Sequence, residues 1–308
     1  MGDAIKIYHD RFSSICPPSV NLVKLHGGMQ WAEGPVYFPL GDYLLWSDIP
    51  NNRIWQWIEG FGARVYREPS NFANGNTRDL QGRLITCEHL SRRVTRTEAD
   101  NSIVVLADSY RGKRLNSPND VVVKSDGSIW FTDPPYGILS DYEGRKSPAE
   151  LDASYVFRLD SDSLELEIVA SSLEKPNGLA FSPDESILYV SDTGATHNKK
   201  CPRRIHAFDV SDSNQLENQR SFTDIPAGVA DGFRIDLEGN LWTSSGSGVL
   251  CYSAEADLLG EIPIDETVSN LEFGGPDFNC LFITATSSLY SIRLGISGVR
   301  KYVFEPAS

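Results

Sequence analysis

The sequence predicts an all-β fold, a six-bladed β-propeller, on three observations. A polar, oxygen-bearing residue recurs about eight positions before a turn that ends a short strand, at Glu33, Asn74, Asn119, Asn177, Asp231 and Asn270. These residues are spaced by 41, 45, 58, 54 and 39 positions, close to the roughly 40 residues that four short strands and their turns occupy. No stretch carries a convincing amphipathic helical pattern longer than three turns.

Each unit reads in the same order. Five of the polar residues are followed by a small or acidic residue (Gly34, Gly75, Asp120, Gly178, Gly232) and the last by Leu271. A mostly apolar first strand runs to a turn at Gly41-Asp42, Gln81-Gly82, Asp126-Gly127, Pro183-Asp184-Glu185, Glu238-Gly239 or Pro276-Asp277. Second strands follow, such as Tyr43-Leu-Leu-Trp-Ser-Asp48, Ser128-Ile-Trp-Phe-Thr-Asp133 and Ile187-Leu-Tyr-Val-Ser-Asp192. Third strands with period-two alternation include Asn52-Arg-Ile-Trp-Gln-Trp57, Tyr155-Val-Phe-Arg-Leu-Asp160 and Arg204-Ile-His-Ala-Phe-Asp209. One propeller domain is expected over residues 1–308. Its first twenty residues, with Cys16-Pro17-Pro18, fall outside the repeat. They are expected to form an external arm, or an outer strand that helps close the ring and removes an open sheet edge.

The two long intervals place extra residues at 134–153 and 193–203, each after a second strand. A second strand runs antiparallel to the first and ends on the face where the first begins. Both insertions are therefore expected to cover the mouth onto which the polar residues open, where ordered loops on a rigid scaffold carry function.

Composition narrows the function. With 28 Lys+Arg against 42 Asp+Glu the net charge is −14, which argues against nucleic acid, whose binding rests on neutralising phosphates. No apolar run approaches a bilayer span, and Met1–Asp10 lacks the apolar core of a signal peptide. A soluble, cytoplasmic monomer or homodimer is expected. The five cysteines are dispersed, with no Cys-x-x-Cys pair, and are read as reduced, mostly buried thiols.

In a propeller the first strands line the channel, so the six polar residues form one ring. It holds one Glu, one Asp and four Asn, with no Lys, Arg, Cys or His. That donor set suits a hard divalent cation such as Ca²⁺ better than zinc or copper. Asn or Asp before Gly also makes local turns, and a channel lined with polar groups can hold water alone; both readings stand beside the metal. Second strands end on the same face at Asp48, Glu88, His89, Asp133 and Asp192. His89 is the histidine that repeat position puts at the mouth, a candidate for substrate contact or for a structural hydrogen bond. Asp133, Asn74 and Asn270 are further candidate contacts.

Four segments are similar to the signatures of the SMP-30/gluconolactonase/luciferin-regenerating-enzyme family. They are Ala32-Glu-Gly-Pro35, Leu115-Asn-Ser-Pro-Asn-Asp120, Lys175-Pro-Asn-Gly-Leu-Ala-Phe-Ser-Pro-Asp184 and Ala230-Asp-Gly-Phe-Arg-Ile-Asp236. The resemblance runs from about residue 20 to the C-terminus. It implies a propeller with a divalent cation in its channel, usually calcium, and hydrolysis of a lactone. It carries the metal ligands onto Glu33, Asn177 and Asp231, and makes Asn119 a further ligand or a substrate contact. Phe131-Thr-Asp-Pro-Pro-Tyr-Gly137 resembles the bacterial gluconolactonase-like branch and adds Tyr136 as a candidate substrate contact. The animal members' arginine two residues before Asn119 is Ser117 here, so its role in sugar recognition does not transfer.

The expected activity is a metal-dependent opening of a sugar-acid lactone such as glucono-1,5-lactone. The cation, calcium first and Mg²⁺, Zn²⁺ or Mn²⁺ after it, would polarise the carbonyl. Asp231 is the candidate base for the attacking water; as a cation ligand its basicity is lowered, which leaves a second carboxylate open as the acceptor. Two other functions stay open: a phosphotriesterase on the same ring, and a ligand-binding propeller with a structural ion. Ser245-Gly-Ser-Gly248 lacks the glycine two before the serine that a nucleophile elbow requires.

Overall fold

A computed structural model describes residues 4–300; the first three residues of the N-terminal arm, and 301–308, lie outside the described residues. Six antiparallel sheets surround one axis. Their innermost strands are Ala32–Phe38, Ala73–Arg78, Val121–Val123, Pro176–Phe181, Phe233–Ile235 and Val268–Gly274. Each packs against the next, and the last against the first. These are blades one to six.

The second strands, among them Tyr43–Asp48, Ile129–Asp133 and Leu241–Ser244, are buried almost throughout because a blade covers each face. Trp130 and Trp242 occupy one equivalent place there, Trp46 stands one position further along its strand, and all three are fully buried. The third strand of blade one, Arg53–Ile58, alternates between half-buried and buried as far as Trp57, as its period-two pattern requires. A hydroxyl near the second strand's end reaches across the blade boundary. Ser47 donates to the Asn74 carbonyl at 2.7 Å, Thr132 to that of Asn177 at 2.8 Å and Ser191 to that of Asp231 at 3.3 Å. These bonds use backbone carbonyls near the axis that sheet pairing leaves free.

Ring closure is split between the termini. Val23–Gly27 pairs with Ser288–Arg293 and becomes the outer strand of blade six. It lies just beyond the arm. Within the arm, Lys6–Ile7 adds a fifth strand to blade five against Leu258–Pro263, and the short helix Phe12–Ile15 buries Phe12 against Trp242, with ring centroids 5.8 Å apart. All five cysteines are free thiols. Among the described residues no helix is long and apolar enough to cross a membrane.

Glu266 ties the closing blade together. Its carboxylate accepts from Ser287 N–H at 2.8 Å, Ser287 Oγ at 2.7 Å and Tyr290 Oη at 2.7 Å, and from Ser288 Oγ. Lys24 of the closing strand is 3.7 Å away. Burial alone would raise this carboxyl, but the donors from Ser288, Tyr290 and Ser287 hold it down at about 2. A folded value below the unfolded one contributes stability above about pH 4.3, lost as the pH falls towards the folded value. Glu266→Gln is therefore expected to lower the melting temperature at neutral pH, with a deficit that narrows steadily as the pH is lowered from 5 to 3. Thermal melts followed by circular dichroism check this.

Candidate active site

Five of the six ring positions open on one cavity of about 530 Å³ at a single mouth. Glu33, Asn74, Asn119 and Asn177 are buried and Asp231 half-buried, and all five line it. The backbone holds them in register between blades. Gly75 N–H donates to the Asn119 carbonyl at 2.8 Å, Gly178 N–H to that of Asp231 at 2.8 Å and Gly232 N–H to that of Ser269 at 2.7 Å. Ser244 Oγ fixes the Asp231 N–H at 2.7 Å.

The bond from Gly232 to Ser269 corrects the sixth position. Ser269 takes the ring place, and Asn270 stands where the other blades have Gly34, Gly75, Asp120, Gly178 and Gly232. Asn270 is not part of the cavity wall. Its Nδ2 donates to Glu33 Oε2 at 3.0 Å, and its Oδ1 accepts Leu271 N–H at 2.8 Å. It orients Glu33, whose Oε2 also accepts Gly34 N–H at 2.6 Å.

His89 and Asp133 also stand behind the cavity wall. Asp133 is fully buried and accepts the N–H groups of Asn116 at 2.7 Å and Ser117 at 2.8 Å; burial pushes its carboxyl up to about 7 against those two donors. Asp48 holds Gln30 N–H at 3.0 Å, and Asp192 holds Glu174 N–H at 2.9 Å and Lys175 N–H at 3.0 Å, in the same way. The repeated acid thus clamps the backbone that leads into the ring residue. His89 is also fully buried, and burial draws its imidazole down to about 4. Its Nδ1 lies 3.0 Å from the Glu143 carbonyl, and its Nε2 lies 3.1 Å from Asn74 Nδ2. A carbonyl only accepts, so Nδ1 carries the proton and Nε2 the lone pair. The amide N–H of Asn74 is thereby turned to His89 and its Oδ1 is left for the channel.

The first long loop closes over this ring. Ser117 Oγ donates to the Pro134 carbonyl at 2.6 Å and accepts Gly137 N–H at 2.9 Å. Gly137 lies so close that a Cβ on it would meet the Cβ atoms of His89 at 2.6 Å and Ser117 at 2.9 Å. The loop itself fills the space in which a long side chain at position 117 would lie. Tyr136, in the short helix Tyr136–Leu139, reaches blade four through Thr193 Oγ1 at 2.7 Å and Thr196 Oγ1 at 3.0 Å. The Lys175 ammonium stands 5.0 Å over its ring. Tyr136, Tyr142 and Glu143 from the first loop, and Thr196, His197 and Arg203 from the second, line the cavity. Glu143 went unpredicted because loop length marks a covering segment, while no periodicity aims any one residue within it.

The electrostatics of the site are those of gathered negative charge. Burial raises Glu33 well above its ordinary range, and the charges of Asp231 and Asp120 raise it further. Burial, then Glu143 and Asp120, push Asp231 up to about 7. Glu143 is itself pushed to about 7 by burial. Asp120 is raised by burial and countered by the nearby Arg234 guanidinium, and among the described residues its Oδ2 is buried without a hydrogen-bond partner. Such a cluster calls for a positive charge. Among the described residues no group of three or more His, Cys, Asp or Glu forms a metal site. The available donors are instead two carboxylates, Glu33 and Asp231, with the amides of Asn119 and Asn177. Asn177 directs its N–H groups to Thr193 Oγ1, at 3.4 Å, and to Asp231, which frees its carbonyl oxygen. This all-oxygen set fits a hard divalent cation with water completing the shell.

Fold and site together define a six-bladed propeller enzyme scaffold with an oxygen-lined cavity under a two-loop cover. The chain belongs to the SMP-30/gluconolactonase/LRE-like family, whose sequence model matches residues 31–287. It is 31% identical to a gluconolactonase of Zymomonas mobilis, over 93% of this chain and 85% of that one. It is 28% identical to a pentonolactonase of Haloferax volcanii, over 82% of this chain and 80% of that one. Among solved structures, a gluconolactonase from Xanthomonas campestris superposes with a TM-score of 0.89 at 39% identity, covering 95% of each chain.

Proposed function

We propose that this protein is a lactonase that opens a sugar-acid lactone with the help of a divalent cation, calcium being the ion that its donors suit best. The observation that carries the reading is the convergence of Glu33, Asp231, Asn119 and Asn177 under a cavity of about 530 Å³, within the range of small-molecule sites. Relatives that act as gluconolactonase and pentonolactonase support the substrate class.

When bound, the cation supplies Lewis-acid polarisation of the lactone carbonyl. Glu33 and Asp231 balance its two charges, and Asn119 and Asn177 offer carbonyl oxygens. Asp231 thus serves the chemical step by holding the cation at the carbonyl. Asn74 presents the oxygen that His89 leaves free to a substrate hydroxyl. Trp31, Tyr136 and Tyr142 are the aromatic members of the wall and offer flat faces to the sugar ring. His89, Asp133 and Asn270 hold the groups that meet the substrate or the cation.

The test is hydrolysis of a panel of aldonolactones, with a phosphotriester beside it, before and after EDTA and after return of Ca²⁺, Mg²⁺, Zn²⁺ or Mn²⁺. Lactone opening that EDTA abolishes and one of these ions restores is expected. Full activity in the chelated protein, or preference for the phosphotriester, would overturn the reading.

A further inference from the structure

We propose that Glu143 accepts the proton of the attacking water; this rests on the lactonase reading and names a group within that site. Among the described residues three carboxylates line the cavity: Glu33, Asp231 and Glu143. Glu33 spends Oε2 on Gly34 and Asn270, and with Asp231 it is committed to the cation. A carboxylate bound to a cation is a weak base. Among the described residues the Glu143 carboxylate takes no hydrogen bond, while its backbone is anchored.

The anchoring is extensive. The Glu143 carbonyl accepts His89 Nδ1–H at 3.0 Å, and Arg145 N–H donates to the Gly137 carbonyl at 3.0 Å. Gly144 packs so tightly that a Cβ on it would lie 2.2 Å from the Gly137 oxygen. Ser147 N–H then reaches the Ile138 carbonyl at 3.1 Å. The side chain therefore enters the cavity wall from the covering loop, close enough for its charge to act on Asp231, with its oxygens free for water. Asp133 and Asp120 have no such access. The first is saturated by backbone donors behind the wall, and the second is not part of the wall.

The step balances in two halves. A water oxygen bonds to the lactone carbonyl carbon as its proton passes to Glu143. When the tetrahedral intermediate collapses, the bond from that carbon to the ring oxygen breaks. The departing ring oxygen takes the proton back from Glu143, which leaves the open hydroxy acid and the original carboxylate.

Glu143→Gln keeps size and shape and removes the base. A positioned general base contributes about 10²–10⁴-fold. The expected result is a fall in kcat of about 100-fold or more, with KM little changed and calcium affinity by titration calorimetry at the wild-type value. Glu143→Asp is expected to recover part of the lost kcat. A kcat near wild type in Glu143→Gln would overturn the assignment while leaving the lactonase reading intact. Parallel loss of calcium affinity would overturn it too, since Glu143 would then be a ligand. Failure of the wild-type protein to open any lactone would remove both.

Discussion

Asp231→Asn is expected to abolish turnover and cation binding together while leaving the propeller folded. The substitution preserves shape and removes one of the two charges available to a divalent ion. Loss of an outer hydrogen-bond partner at a metal site costs about 10–100-fold in affinity, so loss of a charged ligand should cost at least about 100-fold. Calorimetric titration of calcium into wild type and variant measures this. A second signature separates it from misfolding. Burial, Glu143 and Asp120 raise the Asp231 carboxyl to about 7 in the folded chain, against about 3.9 unfolded. A raised carboxyl costs stability as the pH climbs from the unfolded value to the folded one. Above pH 7 the cation-free variant is thus expected to melt higher than cation-free wild type, and to gain nothing from calcium. A variant that melts lower without the ion, or binds calcium as wild type does, would remove Asp231 from the site.

Gly34→Ala is expected to damage stability and site at once. Gly34 has φ +51°, and a Cβ on it would lie 2.1 Å from the Asn74 carbonyl oxygen and 2.8 Å from Gly75 Cα. The left-handed conformation costs an alanine about 1–2 kcal/mol, and crowding of packed backbone adds about 1–3 kcal/mol. Relief requires blades one and two to part at the axis, which moves Glu33 and Asn74 relative to each other. A large fall in melting temperature with weakened calcium affinity is therefore expected. Gly60, at φ +76° with no atom within 4 Å of its notional Cβ, supplies the control. Gly60→Ala should show the conformational cost alone, with calcium affinity unchanged. Equal effects of the two substitutions would refute the steric account.

These glycines show how a correct sequence signal can carry a different cause. A residue pair such as Glu33-Gly34 or Asn177-Gly178 suits a local turn, and the pattern is visible without a structure. In the folded chain the small residue is required because neighbouring inner strands meet at the axis; a Cβ on Gly178 would lie 2.3 Å from the Asp231 carbonyl. The sixth unit illustrates the converse. Asn270 offers the oxygen that the repeat asks for, yet the inter-blade bond from Gly232 puts Ser269 in the ring and turns Asn270 onto Glu33. Residue type alone does not resolve a shift of one position, because in a strand that shift reverses the direction of the side chain. His89 and Asp133 sit at strand ends near the mouth, as the repeat implies. Their distances to Asn74, Glu143, Asn116 and Ser117 make them supports. Glu143 belongs to the same limitation: the inserted loop is legible as a cover, but its path depends on contacts with His89 and Gly137 remote in sequence.

The sequence by itself determined the number of blades, the order of strands within them, the face on which the oxygen-bearing residues gather, and the two loops that are overlong. All of these follow from local periodicity and spacing, which depend only on residues close in the chain. Only the tertiary structure decided which polar groups reach the cavity, which are consumed in holding others, and that a third carboxylate reaches the cavity from the cover. Those outcomes turn on backbone donors and burial contributed by blades tens of residues apart, and a carboxylate's role is set by what surrounds it.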